Sequence, residues 1–109
     1  MASRDQQISQ LLKEIEQELR LLGLWSETAP SKNALASSEP FCVDTLSLSE
    51  WLQWILIPRM QQLLSAGLPL PGNCNIHAMA EESFKPLTQD CSSLLILIKR
   101  FDECLTLLH

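Results

Sequence analysis

Metal binding and nucleophilic catalysis both begin with histidine and cysteine, and this chain has His77, His109 and cysteines at 42, 74, 91 and 104. No H-x-x-x-H, E-x-x-H or C-x-x-C spacing occurs, so nothing converges at the separations a zinc or iron site requires. No metal and no cofactor is expected. Cys74 and His77 stand three residues apart, which leaves the base unoriented, and no third residue is in evidence; the pair reads as a loop thiol beside a surface imidazole. Cys91 and Cys104 fall on or beside the apolar stripe of the last helix, where a thiol packs as a small hydrophobe. The neighbours Glu81-Glu82 and Asp102-Glu103 point about 100° apart on a helix, make no acid/base dyad, and read as a solvated face. The glycines at 23, 67 and 72 stand alone, so no phosphate-cradling loop is present. No catalytic residue is assigned.

What remains is a constellation in mid-chain: Pro40-Phe41-Cys42-Val43-Asp44-Thr45, then the run from Trp51 to Met60, then Leu68-Pro69-Leu70-Pro71. On a helix Trp51, Trp54 and Pro58 fall at i, i+3 and i+7 and share one stripe, which dissolves into Gln61 and Ser65, while Leu52, Ile55 and Arg59 form another. An arginine closing an apolar stripe must reach solvent or meet an acid. Asp44 is the first candidate and Glu82 the second. Two readings of the tryptophans stand side by side. Either they fill the core and Pro58 only sets a bend, or they join Phe41, Asp44, Pro58 and Arg59 in an interaction surface. Tryptophan is seldom fully buried, so the two can coexist.

Positioning these residues is work for one domain. The 109 residues, 46% apolar and 19% charged with three glycines, can close a core and are neither disordered nor fibrous. Ile8, Leu12, Ile15, Leu19 and Leu22 alternate spacings of four and three, an amphipathic helix that Gly23 ends. Residues 24–46 hold Pro30, Pro40 and many hydroxyls and read as a long loop, with one helical turn near Asn33 started by Ser31. Ser47-Leu48-Ser49-Glu50 is a capping box opening a second helix that runs to Ala66 and is bent at Pro58. Asn73 or Asn75 caps a short third helix from Ile76 to about Lys85. A fourth begins near Asp90. With no strand alternation between hairpin turns, the chain is expected to be all-α, a small four-helix bundle with a long loop between helices 1 and 2 and a proline-bent helix 2.

At the mid-chain constellation the sequence resembles the YqcC-like family of small bacterial proteins. The resemblance rests on Pro40-Phe41, Asp44-Thr45, Trp51-Leu52-Gln53-Trp54, Ile57-Pro58-Arg59-Met60 and Leu68-Pro69-Leu70-Pro71-Gly72, with Trp25 after the first helix. It covers the middle third of the chain. It implies a four-helix bundle in a cytoplasmic protein whose gene commonly neighbours that of a tRNA pseudouridine synthase, and it carries over no catalytic residue.

Two functions from different classes follow. The first is a non-enzymatic protein-binding module that uses the Phe41 to Arg59 surface to dock a partner, from the RNA-modification machinery or a second copy of itself. The second is a small ligand-binding protein or enzyme with a cleft between the 24–46 loop and helix 2, using Asp44, Arg59 and Glu82. A net charge of -5 with eight Lys and Arg disfavours direct nucleic-acid binding. The longest aliphatic run, Leu94 to Ile98, is far below the ~18 residues of a membrane span, and no secretory signal is visible, so a cytoplasmic protein with free thiols and no membrane partner is expected. A deep cleft floored by Asp44 and Arg59 would favour the second function, and a flat apolar patch around Trp51 the first.

Overall fold

The computed structural model of the chain describes residues 4–71 and 75–106, and among these it contains helices and turns and no strand. Helix α1 (Arg4–Leu21) buries Ile8, Leu12, Ile15 and Leu19, the stripe its spacing demands. It ends at Gly23, whose φ of 73° lets the Gly23 N–H reach Arg20 O at 3.1 Å and the Leu24 N–H reach Leu19 O at 2.8 Å. A β-carbon would be strained in that left-handed turn.

Helix α6 (Ser92–Thr106) lies antiparallel to α1. The Arg4 guanidinium donates to the Leu105 carbonyl at 3.5 Å, while at the other end Gln89, just before α6, donates to the Leu22 carbonyl at 3.1 Å. Leu94, Ile98, Phe101 and Leu105 of α6 interlock with the α1 stripe in a single core.

The 24–46 segment is organised. Ser31 Oγ accepts the Ala34 N–H at 3.1 Å and starts the one-turn helix α2 (Lys32–Leu35), and a 3₁₀ turn follows at Pro40–Cys42. Thr45 Oγ1 donates to Ala34 O at 2.8 Å, tying the two turns together.

The second long helix is a composite rod of α3 (Leu48–Trp51), a π turn (Leu52–Leu56) and α4 (Ile57–Ala66). The capping box forms as its sequence requires, with Glu50 N–H on Ser47 Oγ at 3.2 Å and Ser47 N–H on the Glu50 carboxylate at 2.9 Å. The π turn has a cause in residue spacing. Leu48, Leu52, Leu56 and Met60 are all buried and stand four apart. In a regular helix each step of four overshoots a full turn by about 40°, so the stripe would sweep through roughly 120° over its length. One wide turn, in which the Ile57 N–H reaches back to Leu52 O, absorbs the excess and keeps all four leucine and methionine side chains on the core. Pro58 follows directly, where its missing N–H costs the ladder least. The irregularity expected at the proline therefore lies in the turn before it.

Helix α5 (Ile76–Ser83) packs on α6 and α3. Asn75 makes no side-chain cap bond. The cap comes from another helix, because the buried carboxylate of Asp102 accepts the His77 N–H at 2.8 Å and that of Ile76 as well. Asn73, Cys74 and His109 lie outside the described residues.

Candidate functional site

A groove of about 570 Å³ opens between the rod and the Pro69-Leu70-Pro71 segment. Its floor is apolar and buried, formed by Leu56, Met60 and Ile76. Trp51, Ile55 and Leu63 rise from the rod, and Phe41 packs on the Trp51 end with ring centroids 4.9 Å apart at 70°. That edge-to-face contact holds an unusual backbone. Phe41 and Cys42 have φ of 57° and 50°, two consecutive left-handed residues that are not glycine. Each costs about 1–2 kcal/mol, offset by the Phe41 ring on Trp51 and by burial of Cys42.

Arg59 lines the same groove and is exposed. The expected pairing with Asp44 or Glu82 does not form. Asp44 accepts the Ser37 hydroxyl, and Glu82 takes Lys85 Nζ at 3.0 Å. Each acid is held by a residue nearer in sequence than Arg59, three residues away for Glu82 and seven for Asp44. Among the described residues Arg59 has no ion pair.

The single stripe of Trp51, Trp54 and Pro58 is also corrected. The π turn inserts one residue of winding, about 100°, between Trp51 and Pro58. Trp51 faces the groove with Arg59, and Pro58 lies on another face with Gln61, Gln62 and Ser65. Both Trp51 and Trp54 are half-buried. The Trp54 indole nitrogen is closed off from solvent with no acceptor among the described residues. Of the six surface candidates, Phe41, Trp51 and Arg59 meet at one groove, and Asp44, Trp54 and Pro58 stand outside it.

Two residues that sequence reasoning passed over position this site. Gln53 is buried, and its amide grips the backbone of Ser26 from both sides: Nε2 donates to Ser26 O at 2.6 Å and Oε1 accepts the Ser26 N–H at 2.7 Å. That clamp moors the start of the long connection to the rod. The second is Asp102, whose carboxyl, read as a solvated acid, is buried and fixes the start of α5 and so the groove residue Ile76. Burial pushes its pKa above the usual carboxylate range, with the N–H bonds of His77 and Ile76 opposing.

Little else in the described residues is arranged for bond-making. Burial pushes the Cys91 and Cys104 thiols up, away from the reactive thiolate. His77 Nδ1 lies 3.3 Å from the Glu81 carboxylate, one turn along the same helix. No three His, Cys, Asp or Glu gather as a metal site among the described residues, and no described helix is long and apolar enough to cross a membrane.

Similarity to known proteins agrees with this architecture. An uncharacterized protein of Haemophilus influenzae is 41% identical over 83 residues, 76% of this chain and 78% of its own length. YqcC of Escherichia coli is 44% identical over 61 residues, 56% of each chain. A Pectobacterium carotovorum protein named tRNA pseudouridine synthase C is 45% identical over 69 residues, 63% of this chain but 18% of that longer protein. The solution structure of Escherichia coli YqcC superimposes with a TM-score of 0.83 at 28% identity, covering 96% of this chain and 90% of that one. The DUF446 family model, described as tRNA pseudouridine synthase C, matches residues 7–104. On that match and on the shared helical fold, the chain belongs to the YqcC-like family.

Proposed function

We propose that this protein is a non-enzymatic docking module that receives a protein segment in the Phe41–Trp51–Arg59 groove, and that its partner is tRNA pseudouridine synthase C. The observation that carries the reading is the groove itself: an apolar floor, two aromatic anchors in mutual contact, one arginine at the wall and a proline-stiffened edge. Such anchors supply most of the affinity of protein interfaces, and rigid backbone around them loses little entropy on binding. The choice of partner is supported by the family description and by the Pectobacterium protein of that name, in which a segment resembling this chain is part of a longer polypeptide. Covalent linkage in one protein and docking between two are alternative ways of raising the same effective concentration. A net charge of -5 favours the enzyme surface over its RNA.

The enzyme or ligand-carrier reading would use Asp44, Arg59 and Glu82 together. Of these only Arg59 reaches the groove, so the binding module is preferred.

The test is titration of the purified protein into purified tRNA pseudouridine synthase C by calorimetry, with and without tRNA. Saturable binding that Trp51→Ala weakens at least about tenfold, with far-ultraviolet dichroism unchanged, is the expected result. Absence of binding, or tight binding to tRNA alone at physiological salt, overturns it.

A further inference from the structure

Among the described residues the groove lining is apolar except for Asn75 and Arg59, and Arg59, its one charged residue, has no counter-ion there. Arg59 is exposed and lines the groove. The ion pairs of the described residues, Arg20–Glu16, His77–Glu81 and Lys85–Glu82, all lie elsewhere. The surrounding molecule is acidic, with 13 Asp and Glu against 8 Lys and Arg. A cation left open beside apolar floor in such a molecule is a recognition element, because an apolar segment bearing a carboxylate gains there what it would lose against the rest of the surface.

The dimensions define the segment. From Trp51 to Leu63 the rod rises through about 18 Å, the length of roughly three turns of a partner helix. Arg59 lies about 12 Å along the rod from Trp51, a distance that a helix covers in about eight residues, and seven returns a side chain to the same face. Resting on the reading of this groove as a protein-docking surface, we infer that its occupant is an amphipathic helix with an apolar anchor on Trp51 and Phe41 and an Asp or Glu seven or eight residues away that pairs with Arg59. The groove reads an acid at a fixed distance from an apolar side chain.

The experiment uses a displayed library of helical peptides about four turns long, selected in parallel on the wild-type protein, Arg59→Gln and Arg59→Glu. Arg59 is exposed, so these substitutions leave the core intact. The expected outcome is that wild type enriches Leu, Phe or Trp with Asp or Glu at the stated spacing. Arg59→Gln should keep the apolar pattern and lose the acid, and Arg59→Glu should replace the acid with Lys or Arg. A wild-type selection without acid enrichment, identical sequences from wild type and Arg59→Glu, or no enrichment at all overturns the inference. So does a dimer in sedimentation that Arg59→Glu dissociates, since the groove would then hold a second copy. The selection needs no synthase, which separates the two claims. Acid-specific selection by a protein that ignores the synthase refutes the partner alone, and synthase binding indifferent to Arg59→Glu refutes the helix chemistry alone.

Discussion

Gln53 and Asp102 show what a single polar side chain does when it is buried with its bonds made. Removing the Gln53 amide leaves the N–H and C=O of Ser26 without the partners they have at 2.7 and 2.6 Å, so Gln53→Ala should lower the unfolding free energy in urea by about 2–4 kcal/mol. A loss under about 0.5 kcal/mol would mean that water replaces the clamp. Asp102 adds a pH dependence. Its carboxyl is raised by burial, so the folded chain holds the proton at a pH where the unfolded chain has released it. That stabilisation is complete below the unfolded carboxylate value and is lost as pH rises through the raised folded value. Wild type should therefore lose stability as pH rises from the unfolded carboxylate value through the raised folded one, and Asp102→Asn should flatten that part of the curve. Parallel curves for the two proteins would refute it. Neither residue stood out by composition, yet both carried a positional mark. Gln53 lies four residues after buried Ser49 and four before buried Ile57, and Asp102 lies four after Ile98 and three before Leu105. A polar residue inside a buried arc has a partner inside too. The partners, Ser26 and the start of α5, come from distant segments and are fixed only by tertiary packing.

At the level of the elements, α1 and α6 were readable because their apolar residues alternate threes and fours, the spacing of a straight helix. The Gly23 end of α1 and the Ser31 and Ser47 caps of α2 and α3 followed from local chemistry alone. The rod was readable in extent but not in winding. Its fours in succession demand a wide turn, and a stripe drawn at 3.6 residues per turn assigned Trp51 and Pro58 to one face when they occupy two. Asp44 was misassigned for another reason: loop geometry obeys no period, and a serine seven residues away captured it. If spacing rather than proline creates the π turn, Pro58→Ala should keep the register. Stability should change by less than about 1 kcal/mol, since the ring is exposed, and nuclear Overhauser contacts between Phe41 and Trp51 should persist. Loss of those contacts would assign the turn to the proline.

Across the whole molecule, the helix seam and the walls of the proposed docking groove draw on different side chains, while Leu56, Met60 and Ile76 belong to both core and groove floor. The α1–α6 seam holds Phe101, Ile8, Leu12, Ile15 and Leu19 with no exposed surface to speak of, while the groove holds half-buried rings. Phe101→Ala should cost about 3–5 kcal/mol, a large share of the roughly 5–15 kcal/mol available to a domain of this size. Trp51→Ala should cost less, about 1–2 kcal/mol, because the ring is only partly buried and its removal also frees Phe41 from its left-handed backbone. Equal losses in guanidinium unfolding would show that the groove is structural after all.

The inter-helix cap on α5 also sets an order of events during synthesis. An eight-residue helix without a cap of its own is too short to persist alone, and the carboxylate that steadies its first turn lies at position 102, near the end of the last helix. A ribosome makes the groove's rod, its aromatic anchors and its proline edge well before it makes Asp102. Ile76, part of the groove floor, therefore cannot settle until α6 has left the exit tunnel and docked. The groove floor is completed last, so on the docking proposal a partner that needs Ile76 in place would favour finished chains over nascent ones.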